Sequence, residues 1–277
     1  MRVITGILSI MRLHNVVAAV FCVATGYWIV SWPEIPPLAV LTAVALATAA
    51  GNVINDYNDI GIDRINKPKR ALPSGRLASR TALSLYFVLL LLLISTFPFL
   101  SVQISIWIFV WIILLFLYSR FFKRMFLAGN LLVSAVTGSG FLLGALVAGR
   151  IAQGMIPAAF TFLFVLGREL VKDCEDLEGD KRFGARTIPV VCGQVVALNY
   201  AAVIFVILAI LFPIPWVKGV YSTAYMWIMS FSVLPILIFS IIFALQKRKN
   251  GLVSKLLKLG MFFGIFAFLA GSIQRSG

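Results

Sequence analysis

Uninterrupted apolar runs constrain this chain more than any other feature. Ser105–Tyr118 reads SIWIFVWIILLFLY and Leu83–Leu100 reads LSLYFVLLLLLISTFPFL. A soluble domain has no use for such segments, whereas a helix crossing the hydrocarbon core of a bilayer needs about 20 mostly apolar residues. Nine segments qualify, roughly 14–31, 37–57, 81–100, 104–119, 127–148, 153–172, 193–212, 222–245 and 256–274. Lipid cannot satisfy open backbone groups and the alternation of a membrane barrel is absent, so each is expected as a helix. The first segment lacks a small-x-small cleavage site and reads as a retained helix rather than a leader. The expected fold class is all-α, a polytopic membrane protein with nine transmembrane helices around a central cavity open to the cytoplasmic side.

Only 12% of the 277 residues are charged, so the placement of each charge carries information. With the N-terminus in the cytoplasm, nine spans put 21 of the 24 Lys and Arg on the cytoplasmic side and leave Arg150, Lys218 and Arg275 outside. That bias follows the positive-inside rule and sends the C-terminus outside. The net charge of +14 then reads as topology plus attraction to anionic head groups, not as nucleic-acid binding. Cys22, Cys174 and Cys192 form no CxxC pair and His14 is the single histidine, which excludes an ordinary zinc site. Cys22 and Cys192 are expected in packing, and Cys174, between acids, is expected nearer the surface. The connections at 59–80, 173–192 and 246–255 are the long polar ones, so any chemistry belongs on their face of the membrane. A single domain over 1–277 is expected, with a weak echo between halves at roughly 1–125 and 126–250, and a last helix over 256–274.

The acids gather in two places, NDYNDIGIDRINKPKR (Asn55–Arg70) and RELVKDCEDLEGDK (Arg168–Lys181). At ~100° per residue, Asn52, Asn55, Asp56, Asp59 and Asp63 share an arc of roughly 100° on a helix. Glu169, Asp173, Asp176 and Asp180 share one of about 60°. One cluster alone would read as a solvated helix end. Together the two hold all of the ten acids except Glu34. Like charges three and four residues apart repel, so each stripe calls for something positive beside it. Oxygen ligands without histidine suit a hard cation such as Mg²⁺, which takes one or two carboxylates and fills its shell with water and phosphate. Two facing stripes would hold two such ions around a diphosphate. Arg64, Lys67, Lys69 and Arg70 beside the first stripe, and Lys172, Lys181, Arg182 and Arg186 beside the second, would grip the outer phosphate oxygens.

These residues resemble the UbiA-type family of intramembrane prenyltransferases. The first cluster matches that family's NDxxDxxxD signature as Asn55-Asp56, Asp59 and Asp63, and the second matches DxxDxxxD as Asp173, Asp176 and Asp180. KPKRALPSGRL (67–77), GARTIPVVCG (184–193) and Tyr118 with Lys123 also fit, while Ala71 stands where many members carry Pro. The resemblance implies Mg²⁺-dependent transfer of a prenyl group from its diphosphate to an acceptor. It implies Asn55, Asp59, Asp173 and Asp176 as the foremost metal ligands, with Asp56, Asp63 and Asp180 completing the shells. Asp59, Asp63, Asp173 and Asp180 are the residues on which catalysis would hang. Lys67, Arg70, Lys123, Tyr118 and Lys172 would hold the diphosphate, whose negative charge as it departs is stabilised by metal ions.

The acceptor is less constrained. Arg12, His14 and Asn15 open the first span in MRLHNVV, and Arg12 and Asn15, one turn apart, are expected with Asn52 at the acceptor. The basic mouth exceeds what one diphosphate needs. The motif flanks look like those of family members that act on geranylgeranylglyceryl phosphate with geranylgeranyl diphosphate as donor. An aromatic acceptor of quinone biosynthesis, 4-hydroxybenzoate or dihydroxynaphthoate, is the alternative, because the diphosphate motifs are shared. A cation transporter is a third reading, but transport sites lie near the bilayer midplane, and here the acids sit at helix ends.

Overall fold

The computed structural model describes residues 2–246 and 251–273, so Arg275 lies outside the described residues, and the regular structure of those segments is all helical. Among the described residues nine helices are long and apolar enough to cross a membrane, from Val3–Ser31 to Gly251–Ile273. In chain order the helices are α1 (Arg2–Met11), α2 (Leu13–Ser31), α3 (Leu38–Asn58), α4 (Ile60–Asn66), α5 (Ser79–Ile94), α6 (Val102–Arg120), α7 (Ala128–Val147) and α8 (Met155–Glu175). They continue as α9 (Leu177–Arg182), α10 (Ile188–Val191), α11 (Gln194–Leu211), α12 (Ile214–Val217), α13 (Thr223–Ile228), α14 (Leu234–Leu245) and α15 (Gly251–Ile273). The nine spans expected from the apolar runs are all present. The first begins earlier than expected, because α1 extends it toward the N-terminus.

Small residues set how closely the spans approach. A Cβ on Gly144 of α7 would lie 2.0 Å from the Val23 carbonyl oxygen of α2, and one on Gly26 would lie 2.3 Å from that of Phe141. The two backbones therefore touch, as membrane helices do where glycine removes the side chain between them. The reverse surface is apolar as well: Leu91, Ile210 and Phe231 are about two-thirds exposed, as suits side chains that meet lipid tails. Between α13 and α14 the helix widens into one π turn over Met229–Val233. Pro235 follows directly; it lacks an N–H and clashes with the carbonyl four residues back, which the wider turn relieves.

Three other interruptions position the site, and glycine or proline causes none of them. Arg12 separates α1 from α2 in a left-handed conformation (φ 49°, ψ 62°), the one non-glycine residue with positive φ among the described residues. Asp59 separates α3 from α4 at φ −89°, ψ −1°, and Asp176 separates α8 from α9 at φ −89°, ψ 2°. The helical ladder survives both aspartate breaks. Asp59 N–H reaches Asn55 O at 3.0 Å and Asp63 N–H reaches Asp59 O at 2.8 Å. Asp176 N–H reaches Lys172 O at 3.0 Å and Asp180 N–H reaches Asp176 O at 3.1 Å. Each acidic stripe thus keeps nearly the register of one helix.

Two cysteines exchange the roles expected of them. Cys174 is buried, its Sγ 3.8 Å from Gln194 O of α11, and Cys192 is exposed. One residue on from Asp173, Cys174 is turned ~100° off the acidic stripe and into the core.

Candidate active site

The two stripes meet through one asparagine and one lysine. Asn66, the last residue of α4, donates from Nδ2 to Asp176 O at 2.8 Å and accepts at Oδ1 from Gly179 N–H of α9 at 2.9 Å. Lys67 Nζ donates to both carboxylate oxygens of Asp176 at 2.5 Å. Gly179 permits the approach, since a Cβ there would sit 2.5 Å from Asn66 Nδ2. Sequence reasoning passed over Asn66, although it lies inside the quoted first cluster. Nothing in its neighbours distinguishes a bridging asparagine from a solvated one.

Every acid of the first stripe is matched to a base. Arg12 Nη2 pairs with Asp56 Oδ1, which Arg70 Nη1 also approaches at 3.4 Å. Arg70 Nη1 donates to Asp63 Oδ2 at 2.6 Å, and Lys123, in the turn after α6, pairs with Asp59 Oδ2. Asn58, off the stripe, donates to Ser119 Oγ at 2.8 Å and Ser119 Oγ to Ile54 O at 3.3 Å, which fastens α6 and so the Lys123 turn against α3. In the second stripe Asn130 Nδ2 donates to Asp173 Oδ2 at 2.8 Å and Thr187 Oγ1 to Asp180 Oδ2 at 3.4 Å. Glu169 accepts from Lys172 at 2.6 Å and from Arg168 at 2.7 Å. Asn130, Thr187 and Arg168 are further polar partners that sequence reasoning did not assign to the site. Tyr118 is half-buried and feels the charges of Glu169, Asp173 and Asp59. Arg64, Lys69, Lys181, Arg182 and Arg186 are exposed and pair with no carboxylate among the described residues, whereas Lys67, Arg70, Lys123 and Lys172 each do.

Burial and charge compete at the helix breaks. Burial would raise the Asp59 carboxyl, but the Lys123 ammonium and Arg12 outweigh it and hold the group below the ordinary range. Burial would likewise lower Lys123, and Asp59 overrides it, so both partners favour the ion pair. At Lys67 burial prevails over Asp176 and the ammonium is pushed down. Burial raises Asp63 despite Arg70. Asp180 is pushed up to about 6, first by burial and then by the charge of Asp176.

The donors suit a hard cation. Asn55 Nδ2 is used on Asp59 Oδ2 at 2.9 Å, while its Oδ1 is buried without a hydrogen-bond partner. That leaves an acceptor oxygen beside a carboxylate, on a face with no sulfur or imidazole. Among the described residues no three His, Cys, Asp or Glu side chains converge on one point. An ion here would therefore take one or two carboxylates in all and rely on other oxygens, the habit of Mg²⁺.

The residues expected at the acceptor also come together. Asn15 Nδ2 donates to Asn52 Oδ1 at 3.2 Å, and Asn52 Nδ2 donates to Met11 O at 3.0 Å. Met11 O ends α1 and has no intrahelical partner of its own once the chain breaks at Arg12. The left-handed backbone at Arg12, worth roughly 1–2 kcal/mol of strain, coincides with the pairing of its guanidinium with Asp56.

Comparison with known proteins agrees on one group. The sequence matches the UbiA prenyltransferase family over residues 19–266. A digeranylgeranylglyceryl phosphate synthase from Methanosarcina mazei is 37% identical over 284 positions, covering 95% of this chain and 97% of its own. One of the same name from Methanocaldococcus jannaschii is 36% identical, covering 96% of each. A solved structure of digeranylgeranylglyceryl phosphate synthase superposes with a TM-score of 0.73 at 33% identity, covering 99% of this chain and 100% of the other. A UbiA homolog from Archaeoglobus fulgidus bound to GPP and Mg²⁺ shares the fold, with a TM-score of 0.67 at 19% identity over 95% of this chain and 99% of that one.

Proposed function

The chain belongs to the UbiA prenyltransferase family, and from that premise we propose that it transfers a geranylgeranyl group from geranylgeranyl diphosphate to geranylgeranylglyceryl phosphate. The product would carry the second ether bond of archaeal membrane phospholipids. One structural observation carries this reading: the segments that follow the two acid-bearing helix breaks are joined through Asn66, with Lys67 paired to Asp176 and Lys123 paired to Asp59. The name shared by relatives 36–37% identical supports the acceptor.

In this reading Asn55, Asp59, Asp173 and Asp176 hold Mg²⁺, two ions on the expectation from two stripes, with Asp56, Asp63 and Asp180 behind them. The bound metal supplies electrophilic stabilisation of the charge that builds on the departing diphosphate. Lys67, Arg70, Lys123 and Lys172 already lie against the carboxylates and would turn to the outer phosphate oxygens, with Tyr118 at the edge. Arg12, Asn15 and Asn52 orient the acceptor so that its hydroxyl faces the allylic carbon. The N-terminus and the site are assigned to the cytoplasm, and the C-terminus outside, because the site end carries Lys67, Arg70, Lys123 and Lys172 while Arg150 and Lys218 fall at the other end.

The test is a transfer assay with purified enzyme in lipid vesicles. Geranylgeranyl diphosphate is supplied with either geranylgeranylglyceryl phosphate or 4-hydroxybenzoate. Ether-linked product from the first, stopped by EDTA and restored by Mg²⁺, is expected. Prenylation of the benzoate alone would replace the acceptor, and turnover persisting in EDTA would remove the metal.

A further inference from the structure

Two cations lie deeper in the membrane spans, beyond the acid–base pairs of the two helix breaks. Arg168 in α8 and Lys258 in α15 each sit about two turns from the helix end that bears the site. Ionisable groups at such depth are costly and mark function. Among the described residues the carboxylate that pairs with this group is Glu169, shared between Arg168 and Lys172. Lys258 has no ion pair among the described residues. The charges acting most strongly on it are those of Arg168, Arg12, Lys172 and Arg70, all positive. His14, on α2, faces Lys258, Arg12 and Arg168 in the same way. Arg168 gives Nη1 to Glu169, and its Nε is buried with no hydrogen-bond partner. With Lys172 given to the donor, Arg168 and Lys258 against Glu169 leave a surplus of one positive charge, and Arg12 adds to the positive field around them.

The surroundings indicate what kind of anion would balance them. α15 packs against both α2 and α8. Thr161 and Phe164 of α8, and Met261 and Ile265 of α15, line an apolar cavity between those helices and α14. Arg168 follows Thr161 by seven residues and Phe164 by four; Lys258 precedes Met261 by three and Ile265 by seven. Those spacings keep each cation on or beside the cavity-lining face of its helix, one turn nearer the site. An apolar wall that ends in two cations suits a lipid with an anionic head.

We propose that Arg168 and Lys258 form a phosphate-monoester subsite that holds the glycerol phosphate head of the acceptor, separate from the diphosphate of the donor. The proposal rests on the acceptor reading above and adds residues that reading did not use. A phosphate monoester carries about −1.5 to −2 charge at pH 7, so it would take up that surplus and draw on the positive field of Arg12 beside it. The Nε edge of Arg168 offers it a charge-assisted donor and Lys258 a second one. The subsite would make the phosphate, rather than the isoprenoid chain, the feature by which the acceptor is chosen.

Lys258→Met tests this without stranding a partner, and Arg168→Lys keeps the charge that Glu169 needs while losing the guanidinium fork. Steady-state kinetics are measured with geranylgeranylglyceryl phosphate, with dephosphorylated geranylgeranylglycerol, and with varied geranylgeranyl diphosphate. In Lys258→Met the preference for the phosphorylated over the dephosphorylated acceptor, as a ratio of kcat/KM, should fall by about tenfold or more. KM for the donor should shift by less than KM for the phosphorylated acceptor. Thermal unfolding in detergent at or above the wild-type temperature shows that the variant is folded. An unchanged preference, or a donor KM that rises as much as the acceptor KM, overturns the subsite while the acceptor reading stands. Wild-type enzyme that prenylates only 4-hydroxybenzoate overturns both.

Discussion

At the scale of single residues the site is a set of matched charges. Asp59 is 2% exposed and Lys123 is its partner. Removing one member of a buried pair leaves the other uncompensated, at a cost of about 2–3 kcal/mol where one partner is half-buried. Asp59→Asn should therefore lower the unfolding temperature and reduce turnover by on the order of 10²–10³-fold. Adding Lys123→Met should restore most of the stability and none of the activity. Thermal unfolding beside the transfer assay reads both, and a double variant no more stable than Asp59→Asn would mean that the pair does not hold the fold. The acids of each stripe were legible because spacings of three and four residues are local. Their partners were not, because Arg12 and Asp56 stand 44 positions apart, Lys123 and Asp59 64, and Lys67 and Asp176 109.

At the scale of elements, the short helices α4 and α9 matter more than their lengths suggest. They carry the far ends of the two stripes and are joined by Asn66 at Gly179 and Asp176. Gly179→Ala would put a methyl group on the Asn66 amide and open that joint. The donor KM should rise by about tenfold, as supporting partners of a metal site typically cost 10–100-fold, with little change in helix content by circular dichroism. Asn66→Ala should behave alike. If either variant kept wild-type donor affinity, α4 and α9 would not need one another to form the site. The long spans were legible from their apolar runs, but the breaks at Arg12, Asp59 and Asp176 carry no glycine or proline to announce them. The ladder of hydrogen bonds through both aspartate breaks explains why treating each stripe as one helix still located its acids.

At the scale of the whole molecule, nine spans among the described residues and a basic site end underlie the proposal that this end faces the cytoplasm. Cys192 is exposed between α10 and α11, whereas Cys22 and Cys174 are buried. A membrane-impermeant maleimide should therefore label Cys192 in inverted vesicles and not in intact cells. The opposite pattern would turn the molecule over and place the site outside. The outward side chains of the spans, Leu91, Ile210 and Phe231 among them, have a consequence for how the enzyme meets its reactants. Lifting an isoprenoid chain out of hydrocarbon costs about 0.8 kcal/mol per CH₂, so donor, acceptor and product all stay in the bilayer plane. Encounter then happens by lateral diffusion in two dimensions, and the concentration that governs rate is a mole fraction of the membrane. For such an enzyme, adding inert phospholipid at fixed bulk substrate is equivalent to diluting the substrate.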